Sequence, residues 1–336
     1  GGAGGTLAGA GGAGGAGGAG GSLAGAAGEA GAAPAPPGFV PVPAAAALPP
    51  PPDKGYALQD VGSGGYVMTN GVYQMMFFVT GQGVVAIDAP PSLTPRLLEA
   101  IAEVTAEPLT HLVYSHAHND HIAGAGDLPP GLTIVAHEET AKLLRAAADP
   151  RRPPPTVTFA GETRYTLAVG SQTIELDYKG NNHMPGELFI YAPAQKVLMI
   201  IDIVFDRRWA PFKSLAIAQD VPGFVRSFDQ ILEYDFVGLV GGHFSQLATR
   251  DDVVAQRDYV LDLRASAVQA NAETDYATAT RGVDPQNVFA QFKAFSDAAT
   301  ARCVELMPRR WLTELGGADV FLHDNCFVMT ESLRID

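Results

Sequence analysis

The chain has 336 residues, 47% of them hydrophobic, and a formal net charge of −14. That is enough apolar material for one large domain or two small ones, while so acidic a surface repels nucleic acid and anionic lipid headgroups unless basic residues cluster. Arginines pair only locally, at Arg151-Arg152, Arg207-Arg208 and Arg309-Arg310, and no apolar run approaches the ~18 residues of a spanning helix, so neither a nucleic-acid partner nor a transmembrane segment is expected.

Residues 1–33 are nearly all Gly and Ala, and 34–52 switch to Pro and Ala, closing on the run from Pro49 to Pro52. Such composition builds no packed core, so 1–52 is expected to be a disordered tail followed by an extended, semi-rigid linker. The sequence opens on Gly1 rather than Met. A tail of this kind suits a secreted, periplasmic or surface-tethered protein, with a cytoplasmic one as the alternative.

Folded sequence begins near Asp53. Apolar stretches at 73–80 and 84–87, split by Gly81-Gln82-Gly83, predict a β-hairpin. Helical spacing predicts a helix over 94–104. A strand at 109–114, a short helix after Asp120, a strand at 132–136 and a helix at 138–148 follow. Further strands are expected at 156–159, 163–167, 173–177, 188–191 and 196–201, then a helix at 221–233 and a strand at 237–240. From Asp251 onward the chain is expected to be mostly helical. Strand runs interleaved with helices predict two sheets packed face to face with helices outside. No GxGxxG follows a strand, so a dinucleotide site is not expected. The expected organisation is a core domain over 53–250 with a helical C-terminal extension over 251–336 packed on it.

Chemistry concentrates in Tyr114-Ser115-His116-Ala117-His118-Asn119-Asp120-His121, which holds three of the chain's eight histidines. His116 and His118 stand two apart, so in an extended loop they point the same way. Asp120 and His121 fall in what should be the first turn of a helix. One loop can therefore serve two metal ions, and neutral imidazole with carboxylate is a common donor set for Zn²⁺. Three more candidates occupy loops or strand exits: His183 in Gly180-Asn181-Asn182-His183-Met184-Pro185-Gly186, Asp202 after an apolar strand, and His243 after Gly241-Gly242. His137, His111 and His323 lie outside this pattern and are expected to be structural. Cys303 and Cys326 form no CxxC pattern and are expected to be two buried thiols rather than a disulfide.

The HxHxDH segment and the residues after it resemble the metallo-β-lactamase superfamily, over roughly 66–250. The resemblance implies an α/β four-layer αββα sandwich. It also implies that His116, His118 and His183 hold a first metal, Asp120, His121 and His243 a second, and that Asp202 bridges them. Two zinc ions per chain are expected, with iron or manganese as the other metals such donors accept. Asp88, closing Val84-Val85-Ala86-Ile87-Asp88, matches an aspartate that orients a ligating imidazole from behind. Two departures are Ile201, where Gly is usual, and Met184, where a small hydroxyl residue is common. An aspartate in the bridging place, rather than Cys or Ser, looks more like the branches that open esters, thioesters and lactones.

The expected function is thus a zinc-dependent hydrolase acting on the acyl carbon of a small-molecule ester, thioester, lactone or β-lactam, with Asp120 orienting the nucleophile or returning a proton. The alternatives are a mononuclear iron oxygenase using His116, His183 and Asp202, a nuclease, and a non-catalytic metal-binding module. Trp209-Ala210-Pro211-Phe212-Lys213 is expected near the mouth, an aromatic lip with one Lys for an anionic substrate end.

Overall fold

The computed structural model describes residues 38–336, so the Gly/Ala tail and the first Pro residues of the expected linker lie outside the described residues. The chain then lays down β1 (Ala57–Gly62), β2 (Gly65–Thr69), β3 (Gln74–Val79), β4 (Val84–Ile87), α1 (Thr94–Ala102), β5 (Leu109–Val113), α2 (Asn119–Ile122), β6 (Thr133–His137), α3 (Glu138–Ala147) and β7 (Val157–Phe159). These seven strands form one sheet in sequence order, antiparallel through β4 and parallel from β4 to β7. A second sheet follows from β8 (Arg164–Val169), β9 (Gln172–Tyr178), β10 (Leu188–Ala192), β11 (Val197–Met199) and β12 (Gly238–Val240). Between β11 and β12 come α4 (Lys213–Ile217), a short turn of left-handed backbone, and α5 (Val221–Leu232). The C-terminal part is α6 (Arg250–Glu273), α7 (Tyr276–Ala279), α8 (Val288–Leu306), α9 (Trp311–Glu314) and α10 (Leu322–Ile335).

Strand alternation sorts the side chains into layers. In β3, Met75 and Phe77 point outward onto Leu93, Leu97 and Ile101 around α1. Their neighbours Met76 and Phe78 point inward, where they meet Ile174, Leu176, Leu188, Ile190 and Met199 of the second sheet. On the far face of that sheet, Phe189, Leu198 and Leu239 pack under Phe224 and Phe228 of α5, Val260 and Leu263 of α6, and Met329 of α10. The result is the expected helix–sheet–sheet–helix sandwich, with the C-terminal helices forming one outer layer. Among the described residues, no helix is long and apolar enough to cross a membrane.

Three features differ from the sequence expectation. The β1–β2 hairpin was not anticipated, although Gly62-Ser63-Gly64 all take positive φ at its turn. The expected pair of free thiols is instead a disulfide, Cys303–Cys326, joining α8 to α10 across a 23-residue separation. Both cysteines face the same buried seam, so spacing along the chain carried no signal. Finally, the end of the expected linker lies against the body. Ala46 is buried, its carbonyl accepts a hydrogen bond from the Trp209 indole at 2.9 Å, and the Val40 amide donates to Asp319 at 2.8 Å.

Candidate metal centre

Strand β5 delivers the first donors. Its last hydrogen bonds to β4 and β6 end near Val113, and Tyr114 to His118 leave the sheet as a loop that bends at Ser115–Ala117, rather than running extended, and leads into α2. His118 has φ −69° and ψ 144° as the residue before the helix, so Asp120 and His121 fall in the first turn, as expected. The Ala89 amide holds the His121 carbonyl at 2.8 Å, and Arg152 bonds the Ala117 carbonyl, fixing the loop from both sides.

The remaining donors arrive from the second sheet. The His183 loop is fastened to the start of α5: Gln219 and Asp220 amides donate to the His183 and Asn182 carbonyls at 2.8 and 3.0 Å. Gly223 permits this approach, because a Cβ there would lie 2.0 Å from the Asn181 carbonyl oxygen. Asp202 leaves the β11 side of the sheet with φ 59°, the left-handed turn that carboxamide and carboxylate residues tolerate best among side-chain-bearing residues. His243 follows Gly242, whose φ is +88° and whose hydrogen faces Ile201; a Cβ there would lie 2.8 Å from Ile201 and 3.0 Å from the His121 ring. The Ile that departs from the usual Gly thus fills the floor beneath this turn.

All seven side chains converge. His116, His118, His183 and Asp202 form one group and Asp120, His121 and His243 a second, with the donor atoms of each group within 4.8 Å of one another. Asp202 Oδ2 lies 3.6, 3.8, 3.4 and 3.3 Å from His116 Nε2, His118 Nδ1, His121 Nε2 and His183 Nε2, while Oδ1 lies 2.8 Å from His243 Nε2. One carboxylate therefore touches both groups. His116 Nε2 and His121 Nε2 are buried with no hydrogen-bond partner. Buried imidazole nitrogens left unpaired are costly, and an N/O donor set of this kind fits a divalent cation. The residues present therefore fit a metal cofactor.

In the metal-free protein a proton takes part of that role. Burial opposes charge on His121, but Asp202, with Asp120 and Asp88 beyond it, raises its pKa to about 9. Burial also opposes charge on Asp202, yet the charge on His121 and the nearby His118 and His183 rings hold its carboxyl well below the usual range. Burial, then the charge on His121, pushes His116 well below the ordinary imidazole value.

Asp88 does not touch an imidazole directly. Its carboxylate accepts from the Ser115 amide and the Ser115 hydroxyl, both at 2.7 Å, and Ser115 Oγ lies 2.9 Å from His116 Nδ1. With the serine proton given to Asp88, Oγ must accept from Nδ1–H, which leaves the His116 Nε2 lone pair facing the centre. Two further carboxylates escaped the sequence reading. Asp206 is buried and accepts from the Ser245 and Gln246 amides at 3.1 and 3.0 Å, tying the Asp202 loop to the His243 loop. Glu187 is fully buried beside the His183 loop, and burial, then the charges of Asp202 and Asp88, push its carboxyl well above the usual range. A lone Glu or Asp in sequence reads as surface, so neither gave a signal.

His118, Asp120, His183, Asp202 and His243 floor a cavity of about 560 Å³ whose sides are Tyr73, Phe205, Phe212, Ala216, Ile217 and Phe244. Among the described residues, no Lys or Arg lines it. Phe212 supplies the expected aromatic lip, but Lys213 pairs at 3.6 Å with Asp324 and Trp209 turns away to Ala46, so the expected cationic end is absent. Tyr73 is placed by the Asn70 side chain, which accepts from the Val72 and Tyr73 amides, and its hydroxyl lies 3.5 Å from Asp120 Oδ2. The wall at Ser214–Ile217 is unusual: four successive residues, none of them Gly, have φ of 52°, 53°, 59° and 59°. Each such residue costs ~1–2 kcal/mol relative to right-handed backbone.

The other histidines lie outside both donor groups. His137 caps α3 by accepting from the Glu139 amide and stacks on Tyr178 at 4.0 Å, His111 lies within β5 beside Thr110, and His323 lies in α10.

A family profile described as the metallo-beta-lactamase superfamily matches residues 68–264. Among curated proteins, the 2,4-dinitroanisole O-demethylase subunit alpha of Nocardioides sp. (strain JS1661) is 27% identical over 195 residues, 55% of this chain and 57% of that protein. The chain thus aligns to little more than half the length of that relative. Among solved structures, the metallo-beta-lactamase from Pontibacter korlensis superposes with a TM-score of 0.53 at 22% identity, over 60% of this chain and 97% of that one. TMB-1 superposes with a TM-score of 0.51 at 19% identity, over 61% and 96%. At such identities these structures speak for the fold alone, but fold, profile and donor geometry agree, and the chain belongs to the metallo-beta-lactamase superfamily.

Proposed function

We propose that the protein is a dinuclear zinc hydrolase that opens an acyl bond in a largely apolar small molecule. Family and site support a metal-dependent hydrolase or oxygenase. The narrower reading rests on one observation: both donor groups are complete and meet on the single carboxylate of Asp202. His116, His118 and His183 would hold one metal, Asp120, His121 and His243 the other, and Asp202 would span them. A bound metal pair supplies Lewis acidity and a water acidified toward neutral pH.

The chain's own residues do the rest. The apolar sides of the cavity bind the substrate body and exclude water, which strengthens every charge interaction at the floor. Asp120 reaches into the cavity and accepts a proton from the attacking water, then can return it to the leaving group. Tyr73, whose phenol keeps its proton because burial and then Asp120 disfavour its ionisation, can donate a hydrogen bond to the departing oxygen. The apolar sides favour substrates with an apolar body.

The test is metal-dependent turnover. Zinc-loaded protein should hydrolyse neutral aryl esters or lactones, a chelator should abolish this, and zinc should restore it. Undiminished hydrolysis by metal-free protein would refute the reading.

A second reading is favoured by the curated relative, whose name describes removal of a methyl group from an aromatic ether. On that reading, water adds across an activated aryl methyl ether to give a phenol and methanol. Methanol release without oxygen uptake supports it, whereas oxygen consumption by an iron-loaded protein supports the oxygenase alternative.

A further inference from the structure

We infer that Asn325, on α10 and well beyond the residues matched to the family, shapes the substrate wall and through it sets which apolar substrates the cavity prefers. The inference rests on the reading of this cavity as the substrate site. Residues 214–217 hold left-handed backbone without a glycine, and such a segment persists only where its surroundings over-determine it. The start of α10 does so at consecutive points. Asn325 is fully buried; its Oδ1 accepts from the Leu215 amide at 2.8 Å and its Nδ2 donates to the Pro211 carbonyl at 3.1 Å. Phe321 packs edge-on against Phe212 with centroids 4.7 Å apart, and Asp324 pairs with Lys213. Cys326, the next residue, is bonded to Cys303 of α8, so the brace is itself anchored.

The braced segment presents Phe212, Ala216 and Ile217 to the cavity, whereas Asn325 does not line it. Asn325 is therefore a positioning residue. Without its two hydrogen bonds, 214–217 is released toward right-handed backbone, and the Ala216 and Ile217 side chains swing away from the substrate. A substrate too short to reach the wall does not register the change.

The experiment compares wild type, Asn325→Ala and Asn325→Asp as zinc-loaded full-length chains. Four readouts are needed: kinetics on 4-nitrophenyl acetate and 4-nitrophenyl hexanoate, binding of the neutral fluorophore Nile red, hydrogen exchange over 212–218, and zinc content. For Asn325→Ala, KM on the hexanoate should rise about tenfold, the scale of one lost apolar contact in a pocket, with KM on the acetate and kcat on both esters unchanged. Nile red should bind correspondingly weaker, the Leu215 amide should exchange faster, and zinc content should hold. Asn325→Asp keeps the acceptor for Leu215 and loses the donor to Pro211, so it should fall between. Adding Ser214→Gly to Asn325→Ala should restore part of the hexanoate KM, because glycine takes positive φ without steric cost. Equal losses on both esters, or unchanged dye binding and exchange, would overturn the proposal. If Asn325→Ala fails to fold, Asn325→Asp decides the same comparison. If wild type cleaves neither ester, the hydrolase reading fails by itself, while dye binding and exchange still judge the wall.

Discussion

Two surfaces share the cavity, and they are built differently. On the metal-bearing side the donors stand in loops, at strand exits or in the first turn of a helix, and those loops are tied to other parts of the chain by backbone hydrogen bonds: Ala89 to His121, Gln219 to His183, Gln74 to Gly242. On the other side, the wall at 214–217 runs through unfavourable backbone and is held by side chains about 110 residues further along the chain. Backbone-to-backbone bonds between loops fix the first surface, and side chains of another helix fix the second. Chemistry and selectivity can therefore change independently, because a substitution in α10 reaches the wall without touching a donor.

That contrast can be broken or sharpened by experiment. The largest effect should come from Asp202→Ala. Losing the carboxylate that contacts both donor groups should drain metal from both, with turnover falling about 10³-fold or more, the scale of lost transition-state charge stabilisation. Elemental analysis reads the metal, and a variant that keeps both ions would separate Asp202 from the bridging role. Next comes the disulfide. Cys303→Ser with Cys326→Ser should lower stability by about 3 kcal/mol, the chain-entropy scale for a loop of this length, with metal content unchanged. Thermal melts measure it, and metal loss in that variant would show that the two surfaces are coupled after all.

Third is Asp88→Asn. The amide would donate to Ser115 Oγ, turning the serine proton toward His116 Nδ1 and leaving the imidazole proton on Nε2, where a metal must bind. Metal affinity should fall about 10–100-fold, measurable by competition with a chromophoric chelator. The last effect is the pH dependence. His121 in metal-free protein keeps its proton up to about 9. A metal must displace that proton, so apparent affinity should climb about tenfold per pH unit from pH 7 and level off near pH 9. The same raised pKa makes the His121–Asp202 pair stabilise metal-free protein below the ordinary histidine value and lose that contribution as pH rises through about 9. A flat affinity profile would mean that another group carries the proton.

The legible part of the molecule follows the same division. The donors were readable because three histidines and an aspartate fall within six residues, and His183, Asp202 and His243 each follow an apolar run or a Gly-rich turn. The sandwich was readable because strand alternation and helical spacing are local signals. The wall was not, because Lys213-Ser214-Leu215-Ala216-Ile217 contains no glycine and nothing in it announces positive φ; the cause lies in Asn325. The disulfide was missed because its halves belong to separate helices. Asp206 and Glu187 were missed because burial of a carboxylate is a tertiary fact, and the Lys213 expectation failed because Asp324 claims that side chain.

The contact between Ala46 and Trp209 has a practical consequence. The indole is gripped by both ends of the folded body: its N–H is spent on the Ala46 carbonyl, and Gly316 packs so closely against its ring that a Cβ there would come within 2.9 Å. Trimming the protein to start at Asp53, as composition alone would invite, would strip the cover from this ring three residues before Phe212. The Pro/Ala segment just ahead of the first strand is better regarded as part of the folded body than as expendable packaging.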